Sequence, residues 1–186
     1  MASAFSHAIA AVALGKTSFI QKTDWKFWCA GIFCAVIPDA DAIGFFMGVP
    51  YDSIFGHRGF THSIFFAVLL SVFLSFLFFR NAVLYSKKWW AVVAFLFVAT
   101  LSHPILDAMT TGGLGVAFFA PFNNHRYFFP WRVIQVSPIG VTQFFSEWGW
   151  RVIKSELVWV WFPSLVIITV IQIIKKALMK KSKFEH

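Results

Sequence analysis

The sequence predicts an all-α, polytopic membrane protein with about three full transmembrane helices plus one or two short or half-length N-terminal helices. Three observations predict it: a composition too apolar for water, apolar runs of spanning length, and a small set of ionisable residues inside those runs. Of 186 residues, 59% are hydrophobic, 20% aromatic and only 13% charged, and the mean hydropathy is +0.71. Lipid is the natural solvent for so uncharged a chain. The length suits a single domain over residues 1–186, and no linker-like shift in composition, internal repeat or low-complexity tract divides it.

Taken in order, Met1 to Leu14 is apolar but has no Lys or Arg ahead of the run and contains His7, which makes it a poor secretory signal. Ala4 to Leu14 reads as a short helix. Phe27 to Ile37 is apolar for only about a dozen residues before Pro38, less than the roughly 17 to 25 that a full span needs. Both read as half-length helices whose ends other helices must cover, because lipid satisfies no backbone polar group. Phe60 to Phe79 is about 20 residues without formal charge apart from His62, enough to cross a hydrocarbon core of roughly 30 Å, and is the clearest span. Trp89 to Met109 is the second, opened by a Trp pair suited to the membrane interface. Leu157 to Ile174 is the third, followed by a tail containing Lys175, Lys176, Lys180, Lys181 and Lys183.

The formal charge of +8 and pI near 9.8 raise nucleic acid as a partner. The basic residues argue against it, since they stand between and after apolar runs instead of along one soluble face. Lys16, Lys22 and Lys26 form one group, Arg80, Lys87 and Lys88 a second, and the tail a third. All three can share one side, which the positive-inside rule makes cytoplasmic together with the C-terminus. Arg58, Arg126, Arg132, Arg151 and Lys154 then fall on the opposite side. Cys29 and Cys34 match neither CxxC nor a helical i,i+4 pair and read as buried free thiols, leaving the redox compartment open.

Ionisable residues inside apolar segments are costly and mark functional sites by default. Here they are His7, Asp39, Asp41, His57, His62, His103 and Asp107. Helical rise places His62 roughly 27 Å from Arg80, His103 roughly 22 Å from Lys88, Asp39 roughly 20 Å from Lys26 and His7 roughly 13 Å from Lys16. The first three agree on a layer in or near the outer leaflet. His7 joins them only if its helix starts from a loop that dips inward.

His103 and Asp107, four apart on one helix, share a face within reach of one metal ion, with Pro104 expected to kink the segment. The bland alternative is a kinked helix whose histidine caps a neighbour. Pro38-Asp39-Ala40-Asp41 sets two carboxylates just beyond a helix end, where they can bind a metal and deprotonate a bound water, or merely cap the helix. In Gly56-His57-Arg58-Gly59-Phe60-Thr61-His62-Ser63, His57 is expected in the glycine-flanked loop and His62 in the first helical turn. Thr61 or Ser63 then caps that turn or holds a ligand's second ring nitrogen. His7, alone in an Ala-rich helix, is more often a packed core histidine. In the segment Pro121 to Arg132, Arg126 and Arg132 among aromatic rings could clamp a phosphate, or belong to an interfacial aromatic belt. Glu147 and Glu156 read as surface charges of an amphipathic helix.

These motifs resemble the YdjM/YbcI-type family of bacterial inner-membrane metal-dependent hydrolases, from His7 to about Pro138. The resemblance rests on His7 before Gly15, Pro38-Asp39-x-Asp41, the His57-Arg58-Gly59-x-Thr61-His62-Ser63 run, Ser102-His103-x-x-x-Asp107 with Thr110 and Gly112, and the Pro/Arg/aromatic segment. It implies metal ligation by His7, Asp39, Asp41, His57, His62, His103 and Asp107, and a multi-pass location in the bacterial inner membrane. The family in turn is distantly similar to zinc-dependent phospholipases C and single-strand nucleases. On that analogy His103 and Asp107 correspond to a helical metal pair and Asp39 or Asp41 is the bridging carboxylate or base, which makes Asp39, Asp41 and Asp107 the catalytic candidates; a full three-zinc site would need His125 as well.

Together these readings complete the fold class with an intramembrane metal site holding one or two ions, zinc or manganese by the mixed His/Asp chemistry. The expected activity, which the resemblance implies, is hydrolysis of a phosphoester in a lipid or lipid-linked substrate at the outer leaflet. Arg58, His125, Arg126 and Arg132 are the candidate substrate-binding residues, and membrane lipids the expected partners. Three rivals remain: an intramembrane metalloprotease, disfavoured by the lack of HExxH, a non-catalytic metal or proton carrier, disfavoured by clustering in one layer, and a degenerate hydrolase serving as a scaffold.

Overall fold

The computed structural model describes residues 1–18, 20, 23–80 and 84–182; Lys22 and Lys183, two of the lysines behind the expected orientation, lie outside them. The described residues form no strand, only isolated bridges between Thr110 and Ile134 and between Val116 and Tyr127. The helices are α1 (Ala4–Thr17), α2 (Trp25–Val36), α3 (Ile43–Phe46), α4 (Ile64–Phe78), α5 (Lys87–Ala108), α6 (Val141–Phe144), α7 (Glu147–Glu156) and α8 (Phe162–Ser182). A π-helical turn, Leu157–Trp161, joins α7 to α8.

Among the described residues, three helical stretches are long and apolar enough to cross a membrane: Trp25–Phe46, Lys87–Ala108 and Glu147–Leu178. Two match expected spans, but Trp25–Phe46 replaces Phe60–Phe79. Pro38 does not end the helix that Asp24 caps at its start (Phe27 N donating to Asp24 Oδ1, 3.0 Å). It falls in the first turn of a 3-10 segment, Ile37–Ala42, where its missing N–H costs little, and that segment runs on into α3. Conversely, Ser63 leaves helical geometry (φ −85°, ψ 155°) to cap α4, accepting from Phe66 N at 3.0 Å. His62 is thereby set in a separate 3-10 turn, Phe60–His62, ahead of the helix. The 15 residues of α4 then reach only about 22 Å, short of a full hydrocarbon core.

α1, α2, α4 and α5 pack around a core that includes Phe27, Cys34, Leu74, Phe95 and Leu96, with Ala11, Ala30, Ala35 and Ala99 where the backbones approach. Small residues permit this closeness in a bundle that gains little from hydrophobic exclusion. α8 packs on α1 and otherwise shows its apolar side chains to the outside. The basic ends converge: Lys175 Nζ donates to the carbonyls of Lys16 (3.3 Å) and Ser18, and Lys87 and Lys88 line a cleft with Thr17 and Ser18.

At the opposite end, the irregular chain after α5 folds back over the bundle. Ile64 N donates to Phe118 O (3.0 Å), Ala117 N to Arg58 O (2.9 Å) and Phe129 N to Ala108 O (2.9 Å), while Val116, Ala117, Ala120 and Ile134 are fully buried.

Two expectations are corrected. Glu156 is not a surface charge: it is fully buried, and its carboxylate accepts from Ser3 N and Ser3 Oγ, both at 2.5 Å, tying the π-helical turn to the start of α1. Of the two thiols, Cys34 is buried but Cys29 is exposed on the outer face of α2.

Candidate metal centre

Three elements bring four side chains to one point. Asp39 comes from the 3-10 segment after α2, His62 from the 3-10 turn before α4, and His103 and Asp107 from one face of α5. One ligand atom from each lies within 4.8 Å of the others. His62 Nε2 is 3.0 Å from His103 Nε2, 3.6 Å from Asp39 Oδ1 and 3.7 Å from Asp107 Oδ2, and His103 Nε2 is 3.3 Å from Asp39 Oδ1. Around a tetrahedral ion with bonds of about 2.0–2.2 Å, neighbouring ligand atoms stand about 3.3–3.6 Å apart. The spacing of this set therefore suits one small cation.

The surrounding groups fix how the rings are protonated. His103 Nδ1 lies 2.7 Å from the carbonyl of Ala35, which can only accept, so Nδ1 carries the hydrogen and Nε2 presents a lone pair. His62 Nδ1 faces Asp41 Oδ2 at 3.1 Å, and Thr61 Oγ1 donates to the same oxygen at 2.6 Å. The carboxylate again accepts, so Nδ1 of His62 carries a hydrogen and its Nε2 faces that of His103. Two ring nitrogens held 3.0 Å apart need either a shared proton or a metal cation between them. Asp39 Oδ1, buried without a hydrogen-bond partner among the described residues, faces the same point, as does Asp107 Oδ2, which also pairs with Arg58 Nε at 2.9 Å. A buried acceptor left over at such a spot fits a metal ion.

Asp41 occupies a different position from Asp39. In a 3-10 helix, with three residues per turn, side chains two apart diverge by about 120°, so Asp39 faces the Nε2 side of His62 while Asp41 faces its Nδ1 side. Asp41 also holds His57 Nδ1 at 2.6 Å and accepts from Arg58 N at 3.1 Å. Asp41, His57 and His62 make a second cluster of metal-ligating type. It shares the His62 ring, whose Nδ1 is occupied by Asp41. The arrangement matches a carboxylate that orients a metal-binding histidine.

His7 stands beside the four. Its ring stacks on His103 at 3.7 Å, and its Nε2 is 3.6 Å from Asp107 Oδ1. It is fully buried, and neither ring nitrogen has a hydrogen-bond partner among the described residues.

Of the four expected substrate-binding residues, Arg58 and Arg126 spend their guanidinium groups on structural partners. Arg58 is fully buried: its Nε is 2.9 Å from Asp107 Oδ2, and its two terminal nitrogens donate to Gly112 O and Thr110 Oγ1, both at 2.9 Å. Its positive φ of 62°, costly for a non-glycine residue, is held by these contacts. Gly56 and Gly59 allow the loop to close around it, since a Cβ would stand 2.2 Å from Pro50 O in one case and 2.3 Å from Ile54 O in the other. Arg126 donates to the carbonyls of His57 (2.8 Å), Tyr51 (2.8 Å) and Ser53 (3.1 Å), clamping the same loop. Burial lowers its pKa and raises that of the neighbouring Tyr51 phenol. His125 is exposed beside Tyr127, with ring centroids 4.7 Å apart, outside both clusters. Arg132 alone keeps an exposed guanidinium, donating from Nε to Thr110 O at 2.9 Å and lying 3.8 Å over the Phe128 ring.

Asp39 is the group's opening. Its side chain is 12% exposed, against zero for His62, His103 and Asp107. Sequence reasoning missed the support that Ala2 N gives Asp107 Oδ1 at 2.7 Å and the Ala35 carbonyl gives His103. Backbone atoms carry no signature in the residue pattern, so no sequence signal pointed to either.

Comparison with known proteins agrees with this picture. No solved structure matches. The chain is 39% identical over 170 residues to "Inner membrane protein YbcI" of Escherichia coli (strain K12), covering 90% of this chain and 95% of that protein. The family model described as "YdjM inner membrane protein" matches residues 1–179. The chain, with its multi-pass helices and buried His/Asp cluster, belongs to the YdjM family of inner membrane proteins.

Proposed function

We propose that this protein is a membrane-embedded metal-dependent hydrolase, a phosphoesterase acting on a lipid or lipid-linked phosphate at the outer leaflet. The observation that carries the reading is the buried convergence of His62 Nε2, His103 Nε2, Asp39 Oδ1 and Asp107 Oδ2 within 4.8 Å of one another, with Asp39 Oδ1 lacking a hydrogen-bond partner among the described residues. His62, His103, Asp39 and Asp107 would hold the ion, and nitrogen with carboxylate oxygen suits zinc, with manganese as the alternative. An ion there supplies a Lewis acid and lowers the pKa of a bound water toward neutrality.

The chain's own residues divide the remaining work. Asp39, open on one side, is placed to take a proton from an attacking water. Asp41 fixes the ring of His62, and the His57–Asp41 pair offers a second proton-holding group beside it. Arg58 holds Asp107 in place and neutralises it. Arg132 is the arginine still available to meet a phosphate. His7, stacked on His103, completes the wall and is a reserve ligand should a second ion bind. The lysine-rich end is assigned to the cytoplasm, which puts the site toward the periplasmic side.

Elemental analysis of the purified protein tests the metal, and phosphate release from phospholipid in proteoliposomes tests the chemistry. The expected result is zinc or manganese in the native protein and none in the double variant His103→Ala with Asp107→Ala, with release lost in parallel. A native protein without metal would overturn the reading. Metal flux without hydrolysis would assign the cluster to a carrier.

A further inference from the structure

The partly exposed ligand Asp39 opens onto an apolar groove. A cleft of about 650 Å³ is lined by Asp39, Val36, Phe33 and Cys29, and a second of about 580 Å³ continues past Cys29 and Phe33 to Trp25, between α2 and α4. Trp25, Cys29, Phe33, Val36 and Asp39 recur at intervals of three or four residues, so they form one stripe along α2 and its 3-10 extension. From Trp25 to Asp39 the stripe is about 21 Å long. One leaflet contributes about 15 Å of hydrocarbon, so a single lipid chain fits the track lengthwise. The groove lies on a membrane-spanning stretch and ends at the one ligand that is not sealed.

We infer that this groove takes the hydrocarbon chain of a membrane lipid, entering sideways from the bilayer between α2 and α4, with its headgroup ester brought to Asp39. The inference rests on the hydrolase reading and adds to it where the lipid's chain sits and by which face it reaches the site. A water-soluble phosphate ester offers nothing to the stripe. A chain lying along it positions the ester without any polar contact deeper in the membrane. Cys29 lines both clefts and is exposed, so a larger side chain there fills the groove without entering the core.

The test uses the full chain in phosphatidylethanolamine vesicles containing a phosphatidylglycerol with a diazirine near the end of one acyl chain. After illumination, peptides are mapped by mass spectrometry, with α8 as the reference because Leu165 and Ile173 are each 62% exposed. Labelling of the Trp25–Val36 peptide is expected to exceed that of α8 severalfold. Cys29→Trp, and independently Leu77→Trp from the α4 wall, should bring it down to the α8 level while metal content stays unchanged. Equal labelling of α2 and α8, labelling that survives both substitutions, or crosslinks from α2 to a second copy of the chain would overturn the groove assignment. Absence of metal in the native protein with the α2 labelling intact would sink the hydrolase reading and leave the lipid groove standing.

Discussion

Replacing Asp41 by Asn separates a ligand from a residue that orients one. The Asp41 carboxylate accepts four hydrogen bonds or close polar contacts: His57 Nδ1 at 2.6 Å, Thr61 Oγ1 at 2.6 Å, Arg58 N at 3.1 Å and His62 Nδ1 at 3.1 Å. Asn keeps one accepting oxygen and turns an NH₂ toward groups that themselves donate. The His62 ring loses its anchor and the preference for hydrogen on Nδ1, and its Nε2 lone pair is no longer guaranteed to face His103. Loss of such a partner lowers metal affinity by about 10–100-fold, or about 1.4–2.8 kcal/mol at 1.4 kcal/mol per decade. Competition with a chromogenic zinc chelator in detergent measures it, with His103→Ala as the reference for losing a true ligand. Asp41→Asn should bind zinc weakly but measurably, and His103→Ala should fall out of range. If Asp41→Asn loses zinc as completely as His103→Ala, Asp41 is itself a ligand. If its affinity is unchanged, the Asp41–His62 contact does not orient the ring.

Three further substitutions test the support of the site. Arg58→Gln leaves Asp107 buried without its cation, which should cost about 3–5 kcal/mol and appear as a large fall in the thermal midpoint in detergent; a shift within error would mean that the ion pair is not what holds Asp107. Glu156→Ala strips Ser3 of the acceptor for both its N–H and its hydroxyl, an expected loss of about 1–3 kcal/mol by thermal melting, with faster hydrogen exchange at the start of α1. Unchanged exchange there would show that α1 is anchored by other contacts. Gly59→Ala drives a Cβ to 2.3 Å from Ile54 O, so the loop must shift, and His57 and Arg58 with it. Reduced zinc content is expected, and native zinc content in a well-folded Gly59→Ala protein would contradict the close packing of this loop.

Much of the site was legible in the residue pattern because lipid makes ionisable groups conspicuous. His62, His103, Asp39 and Asp107 stood out as charges in apolar runs, and helical rise placed three of them at one depth before any packing was known. The helical pairing of His103 and Asp107 followed from a spacing of four. The difference between Asp39 and Asp41 was not legible, since a loop or an α-turn would have presented both carboxylates differently from the 3-10 turn that sets them on opposite sides of His62. Arg58 and Arg126 looked like phosphate binders because a sequence shows the charge but not the carboxylate and carbonyls that already occupy it. Glu156 looked solvated because its partner, Ser3, lies at the far end of the chain.

By itself the sequence determined the solvent, the all-helical class and the identity of the polar residues that could act together, because hydropathy and helical periodicity are local properties. Only the tertiary structure decided which helices are long enough to span, which carboxylate faces the paired Nε2 atoms and which holds the Nδ1 side of a ring, and which helix faces line the apolar groove beside Asp39. Those outcomes depend on contacts between segments distant in sequence: α1 meeting Glu156, α2 meeting His103, and the chain after α5 closing over Arg58. Such pairings arise from packing geometry and leave no periodic trace in the order of residues.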